Sequence, residues 1–206
     1  MPAPEEHHPF REATFMLSVA RLSQCPPDEG REVAFAGRSN AGKSSALNAL
    51  CSRTKLARTS NTPGRTQQLN FFAVDATHRL VDLPGYGFAK VAKELRAEWG
   101  ALVENYLERR LSLAGVILLM DSRHPLKPQD RMLIDWVSTM KRPLCVLLTK
   151  ADKLSRSEGA RTLAAVRREL DGTPDTRVQL FSAMSGQGVE EARAVLCEWL
   201  GLEPRS

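Results

Sequence analysis

The chain has 206 residues, with 29 Lys and Arg against 24 Asp and Glu and a formal net charge of +5. This length predicts one globular unit with a substantial core, and no apolar run approaches the roughly 20 residues that cross a bilayer, which argues against a membrane protein. The four cysteines include no C-x-x-C pair, which argues against a zinc site and against a disulfide framework.

The N-terminal segment begins with residues 1–12, which are rich in Pro, Glu and His, and we predict a disordered tail there. It lacks the basic and apolar regions of a secretion signal, so we expect a cytoplasmic protein without a membrane partner. Residues 13–29 are predicted to form an extension that packs on the main domain. A short helix over residues 13–22 is expected because apolar residues recur there at helical spacing, namely Phe15, Met16, Val19 and Leu22.

The apolar run at residues 33–36 predicts a strand, and it leads into a glycine-containing loop and a helix. The loop matches the phosphate-binding pattern G-x-x-x-x-G-K-[ST] through Gly37, Arg38, Ser39, Asn40, Ala41, Gly42, Lys43 and Ser44, with Ser45 next in the helix. The backbone N–H groups, the helix dipole and the Lys43 ammonium favour a bound phosphate, and the Ser44 hydroxyl can bind magnesium. The alternative is a chance glycine turn before an ordinary helix.

The following segment, residues 52–66, is long and irregular, as loops with a function often are. It contains no acidic residue and several basic ones, namely Arg53, Lys55, Arg58 and Arg65. Such a cluster is typical of a polyanion-binding surface and also of a solvated basic face, and the sequence leaves both open.

Two short runs at residues 69–74 and 80–83 predict an antiparallel strand pair. The second run leads into a D-x-x-G motif, which consists of Asp82, Leu83, Pro84 and Gly85. Because ligands bind outside the carboxyl ends of strands in α/β sheets, Asp82 can hold magnesium through a water molecule. Gly85 has no side chain, so its N–H can approach a γ-phosphate.

The remainder of the chain alternates helical and strand patterns. Apolar residues between 88 and 107 recur at three- and four-residue spacing, which predicts a long amphipathic helix. Continuous apolar runs at residues 115–120 and 144–148 are typical of parallel strands buried on both faces. Further elements are predicted as helices at 129–140 and 157–170, a strand at 178–181, and a last helix through Val189, Ala192, Leu196 and Trp199.

This alternation predicts an α/β fold with a mostly parallel six-stranded sheet, one antiparallel edge strand and helices on both faces. The domain is expected to span residues 30–202 and to end in a frayed segment at 203–206.

A guanine-specific site is indicated where the predicted strand at 144–148 ends in Thr149, Lys150, Ala151 and Asp152. An ionised Asp152 can accept hydrogen bonds from the N1–H and amino group of guanine, which adenine does not offer, and the Lys150 stem can lie along the base. Read alone, Asp152 also fits a helix cap. The last strand ends in Phe181, Ser182 and Ala183, where the Ala183 N–H can donate to the guanine O6.

With these motifs in this order, the chain resembles the translation-factor-related P-loop GTPases and, more closely, the EngB family, also called YsxC or YihA, of bacterial ribosome-assembly GTPases. The residues that carry the resemblance are 37–45, 62–67, 82–90, 149–152 and 181–183. The run P-G-Y-G-F-A at 84–89 is highly specific to that family, and the likeness extends over about residues 15–200.

The resemblance implies a Ras-like GTPase domain that binds GTP and GDP with Mg²⁺. It implies that Thr66 joins Ser44 on the metal, and that the segment Gly64, Arg65, Thr66, Gln67 and Gln68 folds over the nucleotide. Members of the family act in maturation of the large ribosomal subunit and are needed for division and septation. We therefore expect a monomer whose partner is a large-subunit precursor, its rRNA and its proteins. The alternative is a GTPase that acts directly at the division site.

The sequence departs from Ras-like proteins at Tyr86, where those proteins carry a glutamine that orients water, so we expect slow intrinsic hydrolysis. Asn40 matches the position at which related GTPases hold a potassium ion near the phosphates. Met184 replaces a lysine that stacks on the base. The candidate catalytic residues are Lys43, Thr66, Gly85 and Asn40. An ATPase or kinase with this phosphate loop would leave Asp152 unexplained.

Overall fold

A computed structural model of the chain describes residues 8–57, 68–86 and 92–203, with residues 92–99 as backbone only. Within these ranges one sheet contains seven strands in the order β1-β3-β4-β2-β5-β6-β7. β3 is antiparallel to both β1 and β4, and the other neighbours are parallel. The strands are β1 (Thr14–Val19), β2 (Arg31–Gly37), β3 (Leu69–Ala73), β4 (His78–Asp82), β5 (Leu113–Asp121), β6 (Leu144–Thr149) and β7 (Thr176–Leu180).

Helices cover both faces of the sheet, as predicted. They are α1 (Lys43–Leu50), α2 (Ala92–Arg109), α3 (Pro128–Thr139), α4 (Arg156–Glu169) and α5 (Val189–Leu200). Alternate residues of β2 enter two different cores: Val33 and Phe35 pack with residues of α1 and α5, whereas Ala34 and Ala36 pack with residues of α2, α3 and α4. The α/β fold class is confirmed. None of the helices in the described ranges combines the length and apolarity that a bilayer crossing requires.

The prediction of a helix at residues 13–22 is wrong, because this segment forms β1. β1 pairs with β3 from Thr14 opposite Ala73 to Val19 opposite Leu69, with one irregularity between Phe15 and Leu17. The pairing occupies the backbone groups of β3 that would otherwise form the sheet edge, a long-range requirement that local periodicity does not report. The predicted six-stranded sheet therefore has a seventh strand, and the antiparallel strand β3 lies one place in from the edge.

Part of the predicted disordered tail is ordered. Pro9–Glu12 forms a 3-10 turn, and the Phe10 side chain is fully buried in the core that contains α1 and α5. Burial of one aromatic ring stabilises this turn against the disorder that composition suggested. Residues 1–7 of the predicted tail and 204–206 of the predicted frayed end lie outside the described residues.

The long helix predicted between residues 88 and 107 is observed as α2, which is interrupted at Gly100. Gly100 has φ 66° and ψ 175°, a conformation that is essentially restricted to glycine. Beyond the interruption, Val103, Tyr106 and Leu107 are buried as the periodicity predicted.

A buried ionic cluster lies at the amino ends of the parallel strands, opposite the edge that carries the motifs. Its centre is Glu32, which is fully buried in β2. The Glu32 carboxylate accepts hydrogen bonds from the Tyr106 hydroxyl at 3.0 Å, from Arg110 at 2.7 and 3.0 Å, and from Arg79 at 3.3 Å. Arg110 also donates to the carbonyl of Pro26 at 2.9 Å, which joins the N-terminal extension to the domain. These bonds offset the cost of removing Glu32 from water.

Candidate functional site

The predicted phosphate loop connects the carboxyl end of β2 to the first residue of α1. Gly37 is required by space, because a Cβ there would lie 2.8 Å from the Leu119 carbonyl oxygen. Gly42 is required by conformation, since it precedes α1 with φ 92°. Asn40 also has a positive φ, 64°, which asparagine adopts more easily than most residues. Positive φ values of this kind occur in loops whose backbone N–H groups form anion-binding concavities.

Lys43 and Asp82 come together at this edge of the sheet. Asp82 ends β4 and lies beside Phe35 of the neighbouring strand β2. The Lys43 ammonium forms an ion pair with the Asp82 carboxylate, and the two side chains are only 13% and 12% exposed. The cation of the phosphate loop and the carboxylate of the D-x-x-G motif thus share one partly buried position.

The oxygen donors at this position fit a magnesium ion. Ser44 follows Lys43 in α1 and contributes a hydroxyl, and Asp82 contributes a carboxylate. The described part of the chain contains no group of three or more His, Cys, Asp or Glu that could hold a metal ion. Mg²⁺ is commonly held by one or two protein oxygens together with water and substrate phosphates. The donor set therefore fits a metal that is bound together with a nucleotide.

Gly85 and Tyr86 pack directly on the phosphate loop. The Ser39 N–H donates to the Tyr86 carbonyl at 2.7 Å, and the Tyr86 N–H donates to the Gly37 carbonyl at 3.4 Å. A Cβ on Gly85 would lie 3.1 Å from the Ser39 hydroxyl oxygen and 3.3 Å from the Ser39 nitrogen. A side chain at this position would therefore require Ser39 to shift by a few tenths of an ångström, and glycine avoids this crowding.

The Tyr86 side chain has a structural role that sequence reasoning missed. Its ring is fully buried, and its hydroxyl donates to the Asp130 carboxylate in the first turn of α3 at 2.9 Å. Burial raises the pKa of Tyr86 well above its usual range, so the hydroxyl keeps the proton that it donates. Burial also raises the pKa of Asp130, whereas the Tyr86 hydroxyl and the Arg38 guanidinium act in the opposite direction. Asp130 was missed because it resembles an ordinary acidic residue at a helix start.

The T-K-x-D motif, which begins at the last residue of β6, contacts the phosphate loop. The Thr149 hydroxyl donates to the Ala41 carbonyl at 2.7 Å, and the Lys150 ammonium donates to the Asn40 carbonyl at 2.8 Å. Because β6 carries this motif two strands away from β2, only the parallel sheet brings the two motifs together.

Asp121 and Arg123 support Lys150 and were also missed. Asp121 ends β5 beside Thr149, and its carboxylate lies 3.0 Å from the Lys150 ammonium. The Arg123 guanidinium donates to both Asp121 oxygens at 2.9 and 2.7 Å. Hydrogen bonds first from Arg123 and then from Lys150 lower the pKa of Asp121, so its charge persists at neutral pH. A carboxylate at the end of a buried strand was the available sequence signal.

Asp152 is connected to the last predicted motif through Ser182. The buried Ser182 hydroxyl donates to the Asp152 carboxylate at 2.6 Å and accepts from the backbone N–H groups of Met184 and Ser185, each at 3.2 Å. The Ser182 hydroxyl, followed by Lys153, lowers the pKa of Asp152. The Ala151 N–H donates to the Phe181 carbonyl at 3.1 Å. Asp152 is therefore ionised and oriented, as an acceptor for guanine must be.

Four of the five predicted segments thus meet at one edge of the sheet, and the fifth falls largely outside the described residues. The residues outside are Gly64, Arg65, Thr66 and Gln67. Gln68 is exposed directly before β3, and the side chains of Leu83 and Phe181 belong to the cores. Most of the other predicted site residues are at least partly exposed, and Pro84, Ser45 and Ala183 are among them. The remainder lie at strand ends or in the phosphate loop and are buried.

Comparison with known proteins agrees with this geometry. The family described as 50S ribosome-binding GTPase matches residues 32–150, more than half of the chain. The probable GTP-binding protein EngB of Aromatoleum aromaticum is 56% identical over 194 residues, 94% of this chain and 90% of that protein. The corresponding protein of Azoarcus sp. is 52% identical over 193 residues, 93% of this chain and 92% of that protein.

A solved structure of a probable GTP-binding protein engB has the same fold, with a TM-score of 0.64 and 21% identity over 82% of this chain and 98% of that one. The sequence match over nearly the full length, the family match and the motifs gathered at the carboxyl edge of the sheet lead to one assignment: the chain belongs to the EngB family of GTP-binding proteins, within the GTPases.

Proposed function

We propose that this protein hydrolyses GTP to GDP and phosphate and acts as a nucleotide-controlled switch in assembly of the large ribosomal subunit. The observation that carries the proposal is the direct contact of the phosphate loop with two other motifs: Lys43 pairs with Asp82, and Lys150 bonds to Asn40. A single nucleotide spanning this edge would meet groups for its phosphates at one end and groups for its base at the other.

The phosphate end supplies positive charge. Backbone N–H groups of the loop, other than those of Ser39 and Ala41, which donate to the Tyr86 and Arg38 carbonyls, are proposed to bind the β- and γ-phosphates together with the Lys43 ammonium. Charge develops on these phosphates as water attacks in line. Ser44 and Thr66 would ligate Mg²⁺ directly and Asp82 would do so through water, and the ion would neutralise phosphate charge when bound. The Gly85 N–H would contact the γ-phosphate. No side chain of this site is assigned as a general base.

The base end supplies specificity for guanine. Asp152, held by Ser182, is proposed to accept two hydrogen bonds from the base, and the Ala183 N–H is proposed to donate to O6. Lys150 is held by Asp121 and Asn40, and its alkyl stem is proposed to lie along the base and ribose. Met184 is 85% exposed, and it does not supply the stacking contact with the base that a lysine makes at this position in many small GTPases.

Hydrolysis is proposed to be slow without a further cation, because Tyr86 is buried and bonded to Asp130 and so does not orient water. Asn40 is proposed to bind potassium, which would supply positive charge of the kind that an arginine finger supplies elsewhere. We expect faster turnover in potassium than in sodium buffer. Asn40→Gly removes the amide while tolerating the positive φ, and this variant should lose the difference. Equal turnover of the parent protein in both buffers would contradict the potassium site.

The ribosomal role is supported by the family description, 50S ribosome-binding GTPase. We further propose a cytoplasmic monomer whose effect on division and septation follows from ribosome assembly.

Gradient sedimentation of cell extract tests this role. The extract is mixed with the protein and a non-hydrolysable GTP analogue, with the protein and GDP, or with the protein alone. We expect association with large-subunit particles in the analogue and release in GDP. Absence of association in every nucleotide state, with accumulation of the protein at midcell, would instead support the GTPase that acts directly at the division site.

A further inference from the structure

One carboxylate, Asp130, connects three parts of the molecule that a GTP cycle would have to coordinate. It is only 1% exposed, although it lies in the first turn of α3. One oxygen accepts from the Tyr86 hydroxyl at 2.9 Å, and the other accepts from the Lys127 N–H at 3.1 Å. The Arg38 guanidinium of the phosphate loop lies 3.9 Å from the first oxygen. α3, the phosphate loop and the residue after Gly85 are therefore all held by this group.

Tyr86 is constrained at both ends. Its backbone bonds to Gly37 and Ser39 of the phosphate loop, and its hydroxyl bonds to Asp130. Gly85 lies between this constrained residue and the strand end at Asp82, in close contact with Ser39. The Gly85 N–H belongs to the peptide group between Pro84 and Gly85, so it lies one residue before a position that is fixed through both its backbone and its hydroxyl.

We propose that the Tyr86–Asp130 pair positions the Gly85 N–H toward the γ-phosphate, which makes Asp130 a positioning residue for the GTP-bound state. The inference rests on the proposed GTP cycle. GDP has no γ-phosphate, so the pair contributes to binding of GTP and to its hydrolysis but not to binding of GDP. In this proposal Tyr86, which stands where Ras-like proteins carry the water-orienting glutamine, helps to hold the backbone at Gly85 instead of orienting water.

The experiment compares Tyr86→Phe with the parent protein. Phenylalanine keeps the buried ring and removes the hydroxyl, so the bond to Asp130 is lost with little change in packing. A hydrogen bond to a charged group changes an equilibrium by about tenfold or more. We expect the ratio of affinities for a non-hydrolysable GTP analogue and for GDP to fall about tenfold, mainly through weaker analogue binding, and kcat to fall with it.

Tyr106→Phe is a matched control. Tyr106 is also fully buried and also donates its hydroxyl to a buried carboxylate, Glu32, but at the opposite edge of the sheet. This variant, like Tyr86→Phe, should lower the melting temperature, but it should leave the analogue-to-GDP ratio unchanged. Equal weakening of both nucleotides, or an unchanged ratio in Tyr86→Phe, would overturn the inference while leaving the proposed function intact.

Asp130→Ala provides a second test if Tyr86→Phe does not fold. It removes the acceptor of the Tyr86 hydroxyl, which an asparagine oxygen would still provide, and it removes the charge beside Arg38. We expect the same fall in the analogue-to-GDP ratio, and an unchanged ratio would overturn the inference. Failure of the parent protein to bind either nucleotide would instead overturn the proposed function itself.

Discussion

Replacement of Asp152 by asparagine is expected to change the base preference from guanine to xanthine. The Ser182 hydroxyl donates to one Asp152 oxygen, and the oxygen of an asparagine amide can accept the same bond. The amide nitrogen then takes the place of the second carboxylate oxygen. It donates where the carboxylate accepted, which matches the C2 oxygen of xanthine and opposes the amino group of guanine. Affinity for GTP should fall by about 10⁴, because the paired hydrogen bonds to the base are lost.

Competition calorimetry with GTP, xanthosine triphosphate and ATP measures this change. Asp171→Asn is the control, since it makes the same chemical change at an exposed position in the turn after α4. That variant should retain the parent's preference for GTP. An Asp152→Asn protein that still prefers GTP, or a parent protein that binds ATP as well as GTP, would contradict the assignment of the base end.

Replacement of Lys43 by alanine is expected to remove tight binding of both GTP and GDP. The variant loses the ammonium that would bind the phosphates, and it leaves the partly buried Asp82 carboxylate without its ion-pair partner, with its negative charge facing the incoming phosphates. Charge-assisted contacts with phosphate are among the strongest hydrogen bonds in proteins, so we expect about a 100-fold or larger loss of affinity.

Calorimetric titration with GTP and GDP checks this expectation. Arg161→Ala removes one positive charge from the exposed side of α4 and should leave both affinities unchanged. Because the unpaired Asp82 could also reduce stability, the double variant Lys43→Ala with Asp82→Asn separates the two effects. It should recover the parent's melting temperature without recovering binding. A Lys43→Ala protein that binds GTP like the parent would contradict the phosphate-loop assignment.

Much of the fold followed from local patterns because its central elements are long and strongly apolar. β5 and β6 are continuous apolar runs, and the periodicity of α3 and α5 is clear over several turns. β1 was predicted as a helix because its apolar spacing also fits a helix. Its observed state depends on β3, 50 to 59 residues later in the chain, which presents an edge for pairing.

In the functional site, too, local sequence patterns predict some features, and the packing of distant segments determines others. The amino-acid sequence contains the motifs in their order, and their positions after predicted strands indicated that Lys43, Asp82 and Asp152 would lie at one edge of the sheet, because the carboxyl ends of parallel strands share that edge. The side chains that hold the site residues in place became evident in the folded protein: Asp121 contacts Lys150, Ser182 contacts Asp152, and Asp130 contacts Tyr86. These partners are 29 to 44 positions apart in the chain, so their contacts depend on how the strands and helices pack, and no local pattern of residues encodes that packing.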